Sequence, residues 1–174
     1  MSHQPGEELV DVVDDAGRVV AVVPRREMRA RRLPHRVAYV LVFNRRRELL
    51  IHLRTPRKDV YPAHWDVAVG GVLAAGESFE VGAGRELAEE LGVSAPLEPL
   101  FPVRYADADT VVHGMAYRAE HDGPFRFQPE EIVRGEFVAV DAVTIRSARE
   151  PFCPDGLVVL AEYRRRVLTP PSGG

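Results

Sequence analysis

Apolar residues along this chain fall into short bursts divided by turn residues, and the bursts differ in period. The first alternates: Leu9, Val10, Val12 and Val13 surround Asp11, and Asp14, Asp15, Ala16 and Gly17 supply turn chemistry before the valines of 19–23, which predicts a β-hairpin. Pro24 opens a short helix over 25–30, because a proline at the first helical position gives up only an N–H that would be unpaired anyway. Leu33 and Pro34 end it. Residues 37–43 and 48–53 are nearly continuous apolar runs across the polar turn 44–47, and they predict two paired central strands. Within 65–73, Gly70 and Gly71 sit among apolar residues, the mark of a strand whose backbone comes close to something. Ser78 then caps a helix that runs to Leu91, with Gly92 as its stop. Three further strands are predicted at 97–105, 110–119 and 135–140. Helices follow from Asp141 and from Asp155, the last carrying Leu157, Val158, Leu160, Ala161 and Val167. Strands and helices mix without a regular βαβ alternation or an internal repeat, which predicts an α/β fold with a mixed sheet flanked by helices.

Composition narrows the picture without changing it. At 174 residues the chain is expected to form one domain over 1–174, with loose tails at 1–6 and 169–174 where Pro, Gly and Ser concentrate. No apolar run approaches the roughly 20 residues that cross a bilayer, so no membrane span is expected. The first residues show neither a basic stretch nor an apolar one, and a single cysteine, Cys153, fits a reducing compartment; a cytoplasmic location is the expectation. The net charge of -3 gives no global attraction to nucleic acid. Arginine clusters at 25–26, 31–32, 45–47 and 164–166 fall on separate elements with no aromatic interleaving, so they are read as solvated faces and no nucleic-acid partner is expected.

The chemistry is concentrated on the helix after Ser78. Residues three and four apart are neighbours on a helix, so Glu86, Glu89 and Glu90 share one face with Cβ atoms about 5–6 Å apart. Three like charges so close, in the half of a helix that already disfavours anions, call for a cation. Carboxylate, carbonyl and water oxygens suit a hard divalent ion such as Mg²⁺ or Mn²⁺. The Gly70–Gly71 strand end supplies a backbone carbonyl for the set, assigned to Gly70. Ala83, Leu87 and Leu91 form the adjoining apolar face that seats the helix. Glu77 and Arg85 are expected to form a salt bridge that braces the preceding loop. Gly82 and Gly84, each costing about 1 kcal/mol in a helix interior, are expected to be offset by close packing.

This stretch resembles the Nudix box, G-x5-E-x7-R-E-U-x-E-E-x-G-U with U a bulky aliphatic. Gly71, Glu77, Arg85, Glu86, Leu87, Glu89, Glu90, Gly92 and Val93 fill every defined position. The resemblance implies a Nudix-type α/β/α sandwich and metal-dependent hydrolysis of a small-molecule diphosphate, a nucleoside diphosphate joined to another moiety. It implies metal ligation by Glu86, Glu89 and Glu90, with Glu86 or Glu90 assisting removal of a proton from water. It also implies a general base from a later loop, where Glu131 of the Glu130–Glu131 pair is the better placed. Over residues 9–140, the N-terminal hairpin extension followed by Leu33-Pro34-His35-Arg36, Arg54, Lys58, Tyr61-Pro62 and Trp65 looks like isopentenyl-diphosphate isomerase and its hydrolase relatives. His35 matches one metal-binding histidine of that isomerase. The catalytic cysteine falls at Gly70 and a further histidine at Val72, and Cys153 lies too far along the chain to substitute, so the hydrolase is expected over the isomerase. Three intact glutamates also favour it over a non-catalytic nucleotide-binding regulator. Arg54 and Lys58, at a strand end, are expected to meet substrate phosphate, His35 to lie beside substrate or serve structure, and Trp65 to pack in the core. Monomer and homodimer are both open.

Overall fold

The computed structural model describes residues 4–169. A 3₁₀ turn over Pro5–Glu7 occupies part of the segment expected as a loose tail, and the remainder of both tails, 1–3 and 170–174, lies outside the described residues. Strands β1 (Leu9–Val13) and β2 (Val19–Pro24) pair antiparallel, Leu9 opposite Pro24 and Val10 opposite Val23. Helix α1 (Arg25–Ala30) follows, with Pro24 at its N-cap rather than inside it, because Pro24 is still paired in the hairpin.

Strand β3 (His35–Phe43) is the axis of the sheet. One edge runs parallel to β8 (Val111–Glu120) from His35 opposite Val112 to Phe43 opposite Glu120. The other edge is shared in succession by β1 at His35, by β6 (Val69–Val72) over 37–40, and by β4 (Leu49–Arg54) at Phe43. The two runs expected to pair as central strands therefore meet at one register position only. Most of β4 pairs with β9 (Ile132–Val138) and β5 (Trp65–Asp66), while β7 (Glu98–Ala106) pairs antiparallel with β8. The sheet is mixed, as the patterning predicts.

Alternation along β3 explains its unbroken apolar run. Val37, Tyr39, Leu41 and Phe43 belong to one core cluster together with Val159, Leu160 and Tyr163 of α4 (Pro154–Tyr163). Ala38, Val40 and Val42 belong to the other, together with Ala83, Leu87 and Leu91 of α2 (Phe79–Leu91). A strand buried on both faces has no polar positions to alternate, and helices on both faces make the α/β/α sandwich. Helix α3 (Val140–Ser147) precedes α4.

Three elements differ from their expectation. The strand expected over 65–73 divides into β5 and β6, because Trp65 and Asp66 pair with β4 whereas Val69 to Val72 pair with β3, and the Asp66 carboxylate accepts the Ala68 N–H at 3.2 Å between them. Strand β9 begins at Ile132, three residues early, where it pairs with Arg54. The last helix stops at Tyr163 and widens over Arg164–Leu168, leaving Val158 and Val167 exposed rather than packed.

Two buried histidines make the fold acid-sensitive. Burial lowers His35 to about 4 and His52, in β4, to about 3, from an ordinary 6.5. Both are neutral in the native state. Their contribution is complete above pH 6.5 and is lost as pH falls, by roughly 1.4 kcal/mol per pH unit for each histidine. Urea unfolding between pH 7 and pH 4 is expected to show this slope, and His52→Asn to remove about one histidine's share; an unchanged slope in that variant excludes His52 as a source.

Candidate active site

Helix α2 is positioned by its two ends and one face. The Ser78 hydroxyl accepts the Val81 N–H at 3.2 Å, and Gly92, at a left-handed φ of 68°, donates its N–H to the Ala88 carbonyl at 2.9 Å. With Ala83, Leu87 and Leu91 packed on the sheet, Glu86, Glu89 and Glu90 lie at graded depth. The Glu89 side chain is 50% exposed, that of Glu86 12%, and Glu90 as a whole 6%. Gly71 makes the close approach possible, since a Cβ there would come within 3.0 Å of a Glu86 oxygen. Gly82 lies tight against Glu77 and Leu73, where a Cβ would meet them at 2.8 and 2.9 Å. Gly84 has no such neighbour, and nothing in the structure explains it.

Arg85 ties the loop to the helix and the glutamates to one another. Its Nε and Nη2 donate to the two Glu77 oxygens, each at 2.8 Å, and Nη1 donates to Glu86 at 2.9 Å and Glu89 at 3.1 Å. These bonds hold the Glu77 carboxyl below its usual range. Glu77 also accepts the Ala74 N–H at 3.2 Å, while Ala75 and Gly76 donate their N–H groups to the Leu9 carbonyl at 2.8 Å and the Asp11 carboxylate at 2.9 Å, so the loop 73–77 is held both to α2 and to β1. Glu77→Gln is expected to lower stability by about 1–3 kcal/mol in urea unfolding, since one guanidinium edge loses its charged acceptor. A change below about 0.5 kcal/mol contradicts the brace.

Burial works against charge on the two inner glutamates. Desolvation pushes Glu90 well above the carboxylate range, and Glu86 and Glu131 add to the rise. Desolvation also raises Glu86, and the Arg85 ion pair at 2.9 Å does not offset it. A cleft of about 410 Å³ opens over these residues, lined also by Lys58, Gly70 and Glu131. Among the described residues, no three carboxylate, histidine or cysteine side chains converge as ligands of one ion. Instead the Arg85 guanidinium stands where a cation is called for, bridging Glu86 and Glu89. Hard oxygen donors, mutual repulsion and a stand-in cation fit a divalent ion by chemistry.

The other residues singled out from the sequence surround this cleft unequally. Lys58 forms an ion pair with Glu131. The Thr55 N–H donates to the Glu131 carbonyl at 3.1 Å, and the Thr55 hydroxyl to that of Glu130 at 3.1 Å, so the segments bearing Lys58 and Glu131 are joined. Upstream, Arg126 and Gln128 donate their N–H groups to the Leu91 and Glu90 carbonyls at 2.9 and 3.0 Å, fastening that loop to the end of α2. Arg54 is engaged already, donating to the Val60 and Tyr61 carbonyls at 2.9 and 3.3 Å and pairing with Asp66 at 3.6 Å. His35 is buried, its Nδ1 donating to the Leu33 carbonyl at 2.9 Å. Trp65 is core, with its ring beside Phe152 and under the Arg146 guanidinium. Gly70, at φ 151°, sits opposite Tyr39 in the sheet. Cys153, distant in sequence, folds into a small cavity that Gly70 also lines, but burial and Asp66 push its thiol far above its ordinary range. Sequence reasoning missed Arg25 and Gln128, which line the glutamate cleft, and the Arg25/Arg29 spacing of four on a short helix was the available signal.

The NUDIX domain model matches residues 33–159. A Nudix hydrolase of Pseudomonas aeruginosa called uncharacterized, PA4841, is 36% identical over 166 residues, covering 94% of this chain and 98% of that protein. The YfcD protein of Escherichia coli, likewise called an uncharacterized Nudix hydrolase, is 32% identical, covering 91% of this chain and 88% of that protein. Among solved structures, DR0079 of Deinococcus radiodurans superposes with a TM-score of 0.80 at 27% identity, over 91% of this chain and all of that one. The Nudix domain of Shewanella oneidensis NrtR, solved with ADP ribose, shares the fold at TM-score 0.59 and 20% identity, over 76% of this chain and 87% of that one. A complete box on a helix seated against the sheet, a family match over most of the chain and relatives similar along nearly their whole length lead to one statement: the chain belongs to the Nudix hydrolase family, whose members act on phosphorus-containing anhydrides and generally use divalent metals.

Proposed function

We propose that the protein hydrolyses the diphosphate linkage of a nucleoside diphosphate derivative by attack of water on phosphorus. Glu86, Glu89 and Glu90 would hold Mg²⁺ or Mn²⁺, with the Gly70 carbonyl completing the set. Such an ion, when bound, neutralises diphosphate oxygens and makes water more acidic. Glu131 takes the proton of the attacking water, and Lys58, paired with it, sets its orientation and meets the substrate phosphate. Arg54 and His35 lie on the substrate side; since Arg54 already holds residues 60–61, its contribution is to shape that loop as well as to offer charge. Arg85 keeps Glu86 and Glu89 facing the cleft.

The observation that carries this reading is Glu90: a carboxylate buried beside a second carboxylate, in a cleft shared with Lys58, has no structural use that a neutral residue would not serve better. The test is a panel of nucleoside diphosphate derivatives, ADP-ribose among them, with Mg²⁺ or Mn²⁺ and with the products identified. Release of two phosphate-bearing products or of inorganic phosphate supports the proposal. Nucleotide binding with no turnover by any member would assign a regulator instead, and turnover that Glu90→Gln leaves intact would remove the glutamates from the chemistry.

A further inference from the structure

Gly70 and Gly71 also line a second cavity of about 80 Å³, several times the roughly 10–15 Å³ of such space that admits one water. Arg25, Lys58, Gly70 and Gly71 line both spaces, so the two adjoin. Seven buried side-chain nitrogen or oxygen atoms among the described residues lack a hydrogen-bond partner, and four of them belong to residues that line this one cavity: Arg25 Nε, Arg29 Nε, His35 Nε2 and Asp155 Oδ1. The first two are donors. His35 Nε2 is an acceptor, because His35 Nδ1 is the nitrogen that donates to Leu33, and Asp155 Oδ1 is the oxygen left over when Oδ2 accepts from the Tyr39 hydroxyl at 2.9 Å.

Arg29 is the exception among the cations here. Arg54 stands 3.6 Å from Asp66, Lys58 is paired with Glu131, and Arg25 lies 3.9 Å from Glu8. Arg29 forms no ion pair among the described residues, and burial with Arg25 alongside draws it down to about 10. A guanidinium does not shed its proton in a protein, so this shift expresses a buried positive charge that an anion would compensate. Arg25 and Arg29 are separated by one turn of α1 and share a face.

We propose that this cavity is a phosphate subsite in which the Arg29 and Arg25 guanidinium groups donate to the oxygens of a phosphate group while His35 Nε2 accepts from its one protonated oxygen. A phosphate carrying a proton offers both kinds of partner at once; a carboxylate offers only acceptors. The phosphate has two sources, a group borne by the substrate beyond the scissile linkage or free inorganic phosphate. The first source rests on the hydrolase reading and the second does not.

The test titrates inorganic phosphate into the full chain in the presence of EDTA, followed by calorimetry or ³¹P line width, so that no metal bridges phosphate to the glutamates. Saturable binding at one site is expected, weakened at least tenfold in Arg29→Met, less in Arg29→Lys, and unchanged in Glu90→Gln. Absence of saturable binding to the wild-type protein overturns the proposal, as does equal binding by Arg29→Met, with the Lys variant deciding should the Met variant fail to fold. This measurement needs no turnover, so its failure is separate from failure of the hydrolase reading. With an active substrate in hand, competitive inhibition by phosphate, together with a higher KM and unchanged kcat in Arg29→Met, assigns the substrate-borne group. A non-competitive effect of phosphate that disappears in Arg29→Met assigns the free ion.

Discussion

Replacing Glu90 by glutamine is expected to lower kcat by about 10²- to 10⁴-fold and, in the same protein, to raise the melting temperature of the metal-free form at neutral pH. The two effects have one origin. Glu90 is buried, and Glu86 and Glu131 add negative charge around it, so its carboxyl holds a proton more tightly in the native state than in the unfolded chain. A carboxyl raised in this way favours folding most when protonated. Stability declines as pH climbs from the ordinary carboxylate value of 4.5 towards the raised one, because ionisation then costs the native state more than the unfolded chain. Glutamine keeps the shape and removes the ionisation. Melting curves in EDTA across pH 5–8 should therefore separate the two proteins increasingly as pH rises, and saturating Mg²⁺ should narrow the gap by stabilising the wild-type protein alone. A glutamine variant that melts lower than wild type at pH 8 in EDTA would contradict this account of the cleft.

Gly70→Ala should cost about 3 kcal/mol or more and sharply reduce the yield of folded protein. A Cβ at Gly70 would lie 1.9 Å from the Ala38 carbonyl oxygen and 2.9 Å from its carbon, atoms of the paired central strand that cannot turn aside, and its φ of 151° strains any side chain. Gly70→Cys meets the same obstacle, so placing a thiol where the isomerase has one does not restore isomerase chemistry on this backbone. Gly76→Ala serves as the comparison: its φ of 75° is also left-handed, but nothing lies within 4 Å of the added carbon, and a loss of about 1 kcal/mol is expected. Equal urea midpoints for the two variants would refute the close approach at Gly70.

What could be read in the sequence was what short-range chemistry sets. Ser78, Gly92 and the spacing of Ala83, Leu87 and Leu91 define α2 locally, so its bounds and its inward face follow from neighbours a few residues apart. The run through β3 was equally legible, because burial on two faces leaves a continuous apolar signature. The break between β5 and β6 was not: it depends on which strand each half pairs with, and both partners lie elsewhere in the chain. The early start of β9 depends in the same way on Arg54 across the sheet. For the site, the box residues announced the glutamates and the Glu77–Arg85 contact. Arg29, Asp155 and Cys153 reach one cavity only through α1, β3 and α4 coming together, and no local pattern records that. Arg54, read from the sequence as a phosphate contact, donates in the structure to the Val60 and Tyr61 carbonyls, since a guanidinium at a strand end can serve carbonyl groups as readily as phosphate.

The fastening of residues 126–128 to the end of α2 bears on which substitutions the protein tolerates. The bonds from Arg126 to Leu91 and from Gln128 to Glu90 are made by main-chain groups, so the register between the glutamate helix and Glu131 does not depend on which side chains occupy 126 and 128. Side chains at the two positions can change without altering the distance their main chain sets, although Gln128 also lines the cleft. Proline alone lacks the N–H that does the fastening.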